Sequence, residues 1–358
     1  MCAHYSTHCC ASFEATPLDG IIAAMKLSAL GEFGLIGLIK DAVQSTRQPS
    51  SDASRRVIID IGDDTAAWSG SEMVQLATTD SLIEGVHFQF RWCTWEDLGH
   101  KSLAVNLSDI AAMGGLARFA LVSLSCPPDV DSDSVLEYYR GMTSLAMKHD
   151  VVIVGGNLTS SPVVTSTVCV IGETYQEQLM LRTAARPGHA IAVTGVLGGA
   201  AAALSLLSRG TEPGVRVPDV LLRALARPYA RLSESRILAE EGVRCAIDIS
   251  DGLLSDLGHV CESSGVSATI HAEQVPSCSG YDGVPDDCTM FALAGGEDYE
   301  LLFTCDPALI PQVAGRLECP VTVIGEVIAR TDAPPIVVLD RNGAPLPTSR
   351  SGWRHFAQ

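Results

Sequence analysis

Short apolar runs rich in β-branched residues recur along the first half of the chain, each bounded by Gly, Pro or Asp. This pattern is typical of β-strands, and it predicts five of them: RRVIIDIG, MVQLATTDS, RFALVSLSC, VVIVGG and TSTVCVIGE. Between the strands, TWEDLGHKSLAVNLSDIAAMG and SDSVLEYYRGMTSLAMKHD carry apolar residues at helical spacing and predict two helices. Thr94 is the expected N-cap of the first helix, because Asp97 follows it by three residues.

A Pro/Gly break at residues 183–190 indicates a domain joint, after which the pattern starts afresh. Strands are predicted at AIAVTG, RCAIDIS, ALAGGEDYELLFT and VTVIGEVIA, and a hairpin in PPIVVLDRNGAPLP turns at Asn342-Gly343. Helices are predicted at GGAAAALSLLS, DGLLSDLGHVCESSG and PALIPQVAGRLE, together with one long helix over DVLLRALARPYARLSESRILAEEG. The sequence therefore predicts an α/β fold with mixed α+β sheets. We expect a disordered extension over residues 1–25, a first domain over 26–182 and a second over 183–358.

The composition limits the partners and the compartment of the protein. Its 358 residues carry a formal net charge of −18 and form no basic run, which argues against nucleic acid and anionic membranes as partners. No apolar stretch reaches about 18 residues, and the first 25 residues lack the pattern of a secretory signal. The 12 cysteines are scattered without a C-x-x-C pair. Buried thiols are therefore favoured over disulfides or zinc, and we expect a cytoplasmic protein.

Several carboxylates stand at the ends of apolar strands, where a charge is costly unless something neutralises it. Asp251 alone would fit a helix cap, but a set of four such clusters would not. Oxygen ligands that converge in an acidic pocket suit Mg²⁺, which bridges carboxylates to substrate phosphates. The sequence thus predicts a divalent-metal phosphate site. The clusters are Asp63-Asp64 in VIIDIGDD, Thr78-Thr79-Asp80 in VQLATTDS, Asp248 and Asp251 around Ser250 in CAIDISD, and Asn106 with Asp109 on one helix face.

Other signatures of nucleotide chemistry are absent from the sequence. It has no G-x-x-x-x-G-K-[ST] loop and no G-x-S-x-G elbow. The glycines of GEFGLIG precede the first strand instead of following one, so they are not a dinucleotide fingerprint. In VVIVGGNLTSS, Gly155 and Gly156 fit either a tight turn or the close approach of a ligand to the backbone. The residues alone leave both interpretations open.

Seven segments occur in the order found in the thiamine-monophosphate kinases: GEFGLI, IGDDTA, TTDSLIEGVHF, HKSLAVNLSDIAAMG, GGNLTSS, AIDISDGLLSDLGH and GGEDYELLFT. The chain resembles this family, part of the aminoimidazole ribonucleotide synthetase-like superfamily, from about Gly31 to Phe356. The resemblance implies a two-domain fold in which the N-terminal domain binds ATP and Mg²⁺ and pairs its sheet with that of a second subunit. It therefore implies a homodimer, with ATP and several Mg²⁺ ions in the cleft between the domains.

The resemblance also implies roles for individual residues. Three of these residues also have a purely structural interpretation: Tyr139 as a core residue, His87 as a residue at a strand end, and Trp353 as a packing anchor near the end of the chain. The family has Asp where this chain has Asn157, so we expect a weaker metal position there. The implied metal ligands are Asp64, Thr78, Thr79, Asp80, Asp109, Asn157, Asp248 and Asp251. The implied ATP contacts are Tyr139, Gly156, Asn157, Arg182 and Ser250, and the implied contacts to thiamine monophosphate are His87, Glu297 and Trp353. The residues implied in catalysis are Asp80, Asp109, Arg182 and Asp248.

The reaction that the resemblance implies is the phosphorylation of thiamine monophosphate by ATP, giving thiamine diphosphate by direct in-line transfer with Mg²⁺. With this reading, Gly155 and Gly156 let the nucleotide phosphates approach the backbone. The alternative is a non-catalytic or differently specific nucleotide- or metal-binding member of the superfamily. Within the superfamily, selenophosphate synthetase needs a reactive Cys or selenocysteine near the start of its first domain. The hydrogenase-maturation member needs a C-terminal Cys. This sequence offers neither residue at a matching position.

Overall fold

The computed structural model describes residues 25–61, 66–208, 217–279, 288–331 and 334–347, without the side chains of residues 31–33. Residues 1–24 of the predicted extension lie outside this description. The described part contains strands and helices in both halves, so it has the mixed α/β composition that the sequence predicts. None of its helices combines the length and the apolar character that crossing a bilayer requires.

In the described residues, the first half of the chain builds two small sheets and four helices. The helices are α1 (Leu27–Thr46), α2 (Asp52–Arg56), α3 (Trp95–Ala112) and α4 (Ser132–Lys148). The strands are β1 (Val57–Ile59), β2 (Ala67–Trp68), β3 (Val74–Ile83), β4 (Leu116–Cys126), β5 (Val152–Ser160) and β6 (Thr165–Thr174). Strands β1 and β2 form an antiparallel pair, and the other four form a sheet in the order β3-β6-β4-β5. Only β4 and β5 run parallel in that sheet.

The described part of the second half builds one larger sheet with helices around it. Its strands are β7 (Ala190–Thr194), β8 (Cys245–Asp248), β9 (Val266–His271), β10 (Leu301–Cys305), β11 (Val321–Ala329) and β12 (Ile336–Leu339). Its helices are α5 (Gly199–Ser208), α6 (Asp219–Ala226), α7 (Leu232–Glu240), α8 (Leu253–Ser264), α9 (Thr289–Ala294) and α10 (Ile310–Arg316). The strand order is β12-β9-β11-β7-β10-β8, and β12 pairs parallel with β9 while the other neighbours are antiparallel.

Helix α3 lies between the two halves, and most of its residues are buried. It begins at the predicted cap, where Thr94 and Asp97 form a reciprocal capping box. Its apolar residues share one core with residues of the larger sheet, among them Ala246 and Phe303. Residues near its C-terminal end can therefore reach both halves, which is the property that builds the candidate site.

Several predicted elements differ from those in the structure, each for a local reason. The long helix predicted after residue 218 is two helices, α6 and α7, because Pro228 interrupts the sequence between them. The strand predicted over ALAGGEDYELLFT is the helix α9, a loop and the strand β10. Strand RRVIIDIG begins as the helix α2, and α1 and β9 were not predicted. The predicted turn at Asn342-Gly343 is present, with Gly343 at φ 76°.

Candidate active site

Strand β3 presents two of the predicted ligands to helix α3. Side chains alternate between the faces of a strand, so Thr78 and Asp80 share one face and Thr79 lies on the other. The Thr78 hydroxyl donates a hydrogen bond of 2.5 Å to Asp109 on α3. The Thr79 hydroxyl instead donates to the backbone carbonyl of Val168 at 3.1 Å. The structure thus brings Thr78, Asp80 and Asp109 together and directs the Thr79 side chain away from them.

Asp248 joins this cluster from the other half of the chain. It ends strand β8, is buried, and accepts a hydrogen bond of 2.8 Å from the Ser108 hydroxyl on α3. Because Ser108 and Asp109 are consecutive, the end of α3 contacts β8 with one residue and β3 with the next. Asn106, predicted to share a face with Asp109, is fully buried, and its amide donates to the Ser102 carbonyl in the same helix.

The three carboxylates of this cluster carry more negative charge than their surroundings compensate. Loss of solvation and the charge of Asp109 raise the pKa of Asp80 to about 6. Burial, followed by the charge of Asp109, raises the pKa of Asp248 to about 7. Burial also raises the pKa of Asp109, although the Thr78 hydrogen bond and the nearby positive charge of Arg182 oppose the rise. Arg182 is exposed, and its positive charge acts to lower the pKa of both Asp109 and Asp248.

The donor set of the cluster fits a divalent cation of the Mg²⁺ type. Asp80, Asp109 and Asp248 offer carboxylate oxygens and Thr78 offers a hydroxyl oxygen, so the donors of these four residues are all oxygen atoms. Hard oxygen ligands of this kind suit Mg²⁺. The raised pKa values are also consistent with a cation site, because a bound cation would supply the positive charge that the carboxylates lack.

The turn after β8 holds the next group of predicted residues. Asp256, in the first turn of α8, accepts hydrogen bonds from the backbone N–H groups of Asp251 and Gly252 at 3.2 and 3.0 Å. Ligand atoms of Asp251, Asp256 and His259 all lie within 4.8 Å of one another. Burial, then the charges of Asp248 and Asp251, raises the pKa of Asp256 to about 8. Asp256 therefore shapes the turn that carries Ser250 and Asp251, a role that the sequence did not reveal.

The segment GGEDYEL lies directly against that turn. Gly296 is required there, because a Cβ atom on it would stand 2.5 Å from the Ser250 carbonyl oxygen. The Glu297 N–H donates to the same carbonyl at 2.7 Å, and Glu297 has a left-handed φ of 67°. The Glu297 carboxylate accepts a hydrogen bond of 2.9 Å from the ammonium of Lys101 on α3. Asp298 accepts from the Gly198 N–H at 2.9 Å with both oxygens.

His87 and Tyr139, two further predicted contacts, have different surroundings. His87 is half-buried in a turn after β3, and its Nδ1 accepts a hydrogen bond of 3.0 Å from the Ile83 N–H. Tyr139 is only 4% exposed and packs edge-to-face on Tyr138 in the core, with ring centroids 5.3 Å apart. In this conformation, Tyr139 presents no open face on which an adenine ring could stack.

Gly156 and Asn157 lie at the far edge of the four-stranded sheet from Asp80. Strand β5 continues through both residues, so the tight turn considered for this stretch is not present. A Cβ atom on Gly156 would stand 1.8 Å from the Val122 carbonyl oxygen of β4, which gives this glycine a structural reason independent of any ligand. Asp80, Val168, Val122 and Gly156 stand in one row across the sheet. Three strand spacings, about 14 Å, therefore separate Asp80 from Gly156 within one chain.

Two predicted residues, Asp64 and Trp353, lie outside the described residues. Sequence reasoning missed Lys101, Ser108 and Asp256, although each stands inside a segment that it singled out. A signal existed for Ser108, since it directly precedes Asp109. No sequence signal marked Lys101 or Asp256, because polar residues on amphipathic helices usually face solvent.

A small cavity of about 30 Å³ lies elsewhere, between α1, α4 and β5, and Arg47, Ser54 and Asp150 contribute to its lining. The Arg47 Nε and the Ser54 hydroxyl are buried there without a hydrogen-bond partner in the described part of the chain. This volume suits one or two water molecules and not a nucleotide. The carboxylate cluster is therefore the better candidate for chemistry.

Comparisons with known proteins agree with this architecture. The family models for the N-terminal and C-terminal domains of AIR synthase related proteins match residues 62–174 and 186–337. A thiamine-monophosphate kinase of Bacillus subtilis is 36% identical over 307 residues, which are 84% of this chain and 94% of that protein. A crystal structure of thiamine-monophosphate kinase from Stenotrophomonas maltophilia superposes with a TM-score of 0.73 at 32% identity, covering 86% of this chain and 96% of that one. AaThiL complexed with AMPPCP and TMP superposes with a TM-score of 0.68 at 34% identity, covering 93% and 99%.

Proposed function

The chain belongs to the thiamine-monophosphate kinase family and is an enzyme of that type, and from this premise we propose how its residues carry out the reaction. The activity is the ATP-dependent phosphorylation of thiamine monophosphate to thiamine diphosphate. A relative that is 34% identical over nearly the whole chain binds AMPPCP, an analogue of ATP, together with TMP. The observation that carries the mechanistic proposal is the convergence of Asp80, Asp109 and Asp248 from β3, α3 and β8.

The carboxylate cluster is proposed to bind Mg²⁺. Asp80, Asp109 and Asp248 would hold the ions, with Thr78 orienting Asp109 through its hydrogen bond. Magnesium supplies positive charge that neutralises the phosphates when it is bound. The cluster repels a polyphosphate without such a cation, because its three carboxylates face one another with Arg182 as their opposing cation. Further ligands proposed from the family pattern are Asp64, Thr79, Asn157 and Asp251.

The proposed mechanism is a direct in-line transfer in which the protein aligns the two phosphates. The attacking atom is a phosphate oxygen that is already ionised at neutral pH, so no side chain has to act as a general base. Arg182 is proposed to bind phosphate oxygens, because its charge lies near Asp109 and Asp248 and guanidinium groups match phosphate oxygens geometrically. Ser250 and Gly156 are proposed as the other nucleotide contacts. For Tyr139 the same role would require a conformation in which its ring leaves the core.

The contacts proposed for thiamine monophosphate begin with Glu297, beside the turn that carries Ser250. Glu297 is held against this turn by its own N–H, and His87 is held by the Ile83 N–H. Thiamine monophosphate is an organic cation with an aminopyrimidine ring, and the Glu297 carboxylate would recognise it by charge and by hydrogen bonding. Trp353 is proposed as an aromatic contact from the family pattern alone.

We also propose that the protein is a homodimer formed through the four-stranded sheet, with domains over residues 26–182 and 183–358. The sheet face opposite α3 carries Ala77, Thr79 and Ser81, which are all exposed. Asn157 lies on that face as well, in a row with Ser81, Thr167 and Ser123. A partner sheet on this face would bring a second copy of Thr79, the predicted β3 ligand that lies on this face, towards Asn157, which one chain alone does not do.

The test is to incubate the purified protein with ATP, Mg²⁺ and thiamine monophosphate and to measure ADP and thiamine diphosphate by chromatography. We expect the two products in equal amounts. Thiamine is the matched control substrate, because it lacks the acceptor phosphate, and it should give no thiamine diphosphate. ATP hydrolysis without thiamine diphosphate, or no turnover at all, would support the alternative of a non-catalytic or differently specific member of the superfamily.

A further inference from the structure

Lys101 is a buried cation at the junction of the two halves. It stands on helix α3, its side chain is only 2% exposed, and its ammonium donates a hydrogen bond of 2.9 Å to Glu297 Oε2. Glu297 belongs to the other half of the chain and remains 28% exposed. The pair is thus asymmetric, with the lysine enclosed in the protein and the glutamate partly exposed to solvent.

An enclosed ammonium without a counter-charge is costly, so Lys101 strongly favours a carboxylate at this position. The backbone of Glu297 is also constrained, by a left-handed φ of 67° and by the bond from its N–H to the Ser250 carbonyl. One carboxylate oxygen, Oε2, is taken by Lys101. The other, Oε1, has no hydrogen-bond partner among the described residues. The arrangement fixes a carboxylate and leaves one of its oxygens for a ligand.

Helix α3 carries both Lys101, which holds this carboxylate, and Asp109 of the carboxylate cluster. Lys101 precedes Asp109 by eight residues, which is a rise of about 12 Å along the helix axis. Most residues of the helix are buried and its start is capped, so this separation is rigid. Lys101 therefore fixes a carboxylate beside the turn that follows Asp248, on the helix that also carries Asp109 of the cluster at which phosphate is proposed to bind. A substrate with a cationic heterocycle at one end and a phosphate at the other matches this arrangement.

We propose that Lys101 is a positioning residue for the acceptor substrate: it holds Glu297 so that Oε1 faces the heterocyclic end of thiamine monophosphate. This inference rests on the proposed function, because it assigns Glu297 to that substrate. Lys101 acts through Glu297 and does not contact the reacting phosphates. Its removal therefore weakens binding of the acceptor and leaves binding of ATP as it is.

The experiment compares Lys101→Met, Glu297→Gln and the double variant with the wild-type protein. The methionine keeps the length of the apolar stem and removes the charge, and a partly exposed Glu297 tolerates the loss of its partner. Lys148→Met is the matched control, since Lys148 is exposed on α4. For each protein, the KM for thiamine monophosphate, the KM for ATP and the kcat are measured, along with calorimetric binding of thiamine monophosphate in the presence of AMPPCP and Mg²⁺. Thermal unfolding verifies that each variant is folded.

We expect Lys101→Met to raise the KM and the Kd for thiamine monophosphate about tenfold, with an unchanged KM for ATP. The double variant should bind no more weakly than Glu297→Gln alone, because both changes remove one interaction. Unchanged acceptor binding in Lys101→Met, an equal rise in both KM values, or fully additive effects would overturn the inference. Wild-type turnover decides the proposed function separately, and a wild-type protein that does not bind thiamine monophosphate would overturn both.

Discussion

The Ser108 hydroxyl on helix α3 donates a hydrogen bond of 2.8 Å to Asp248 at the end of β8, joining residues 140 positions apart in the chain. Both side chains are buried, with 0% and 2% exposure. This bond connects the two halves of the protein at the carboxylate cluster. It fixes one oxygen of Asp248 and so determines where the other oxygen points.

Ser108→Ala is expected to lower kcat about tenfold, because Asp248 loses its orientation. The free energy of unfolding should fall by about 1–3 kcal/mol, since a buried acceptor loses its donor. Steady-state kinetics and urea unfolding measure the two effects. Ser102→Ala is the control: this serine is equally buried on the same helix but donates to the Leu98 carbonyl within it. A similar loss of kcat in both variants would show that the cluster does not depend on Ser108.

Activity is expected to depend strictly on a divalent cation. Excess EDTA should abolish turnover and added Mg²⁺ should restore it, because the carboxylates repel ATP without a cation. Asp80→Asn should lower kcat at least about a hundredfold, with little change in the thermal unfolding temperature. Asp129→Asn makes the same change at an exposed position and should behave like the wild-type protein. Full activity in excess EDTA would contradict the proposed metal site.

Asn157→Asp is expected to reduce the Mg²⁺ requirement. Asparagine keeps a neutral carbonyl oxygen where the family pattern has a carboxylate, and Mg²⁺ prefers the carboxylate. The weaker contact is worth about 1–2 kcal/mol, which corresponds to about a tenfold lower half-saturating Mg²⁺ concentration in the variant. The measurement is activity titrated against Mg²⁺. Gln274→Glu, an exposed change of the same kind, should leave the curve unchanged, and an unchanged curve in Asn157→Asp would mean that this residue does not limit metal binding.

Glu173 is expected to contribute to stability in a pH-dependent way. Its side chain is 2% exposed, and it accepts hydrogen bonds from Ser71, Arg56 and Arg118 at 2.6 to 3.0 Å. Burial alone would raise the pKa of Glu173, but these hydrogen bonds outweigh it and lower the pKa from 4.5 to about 2. The folded state therefore binds the proton more weakly than the unfolded state. The resulting stability is complete above pH 4.5 and is lost as the pH falls towards 2.

The corresponding variant is Glu173→Gln, studied by urea unfolding between pH 7 and pH 3.5. At pH 7 it should be less stable than the wild-type protein by up to about 3 kcal/mol, and the difference should shrink as the pH falls below 4.5. Glu177→Gln changes an exposed carboxylate nearby and serves as the control. A difference that stays constant over this range would mean that the charge of Glu173 does not supply the stability.

The sequence determined the local elements and the chemical class of the site. The Thr94 cap, the apolar periods of α3 and α4 and the β-branched strands are short-range signals, and the structure confirms them. The order of seven motifs indicated the family, which the comparisons show. The carboxylates at strand ends indicated a cation and phosphate site, because a charge beside an apolar strand needs a compensating partner wherever it lies.

Only the tertiary structure decided which of these residues meet. Thr78 and Thr79 are neighbours in sequence, yet the alternation of the strand places one beside Asp109 and the other on the opposite face. Asn157 lies on an edge strand whose position depends on the order β3-β6-β4-β5, and no local pattern specifies that order. Lys101 finds Glu297 across 196 residues. Such pairings follow from strand order and helix packing, which depend on the whole chain, so a reading of local periods could not supply them.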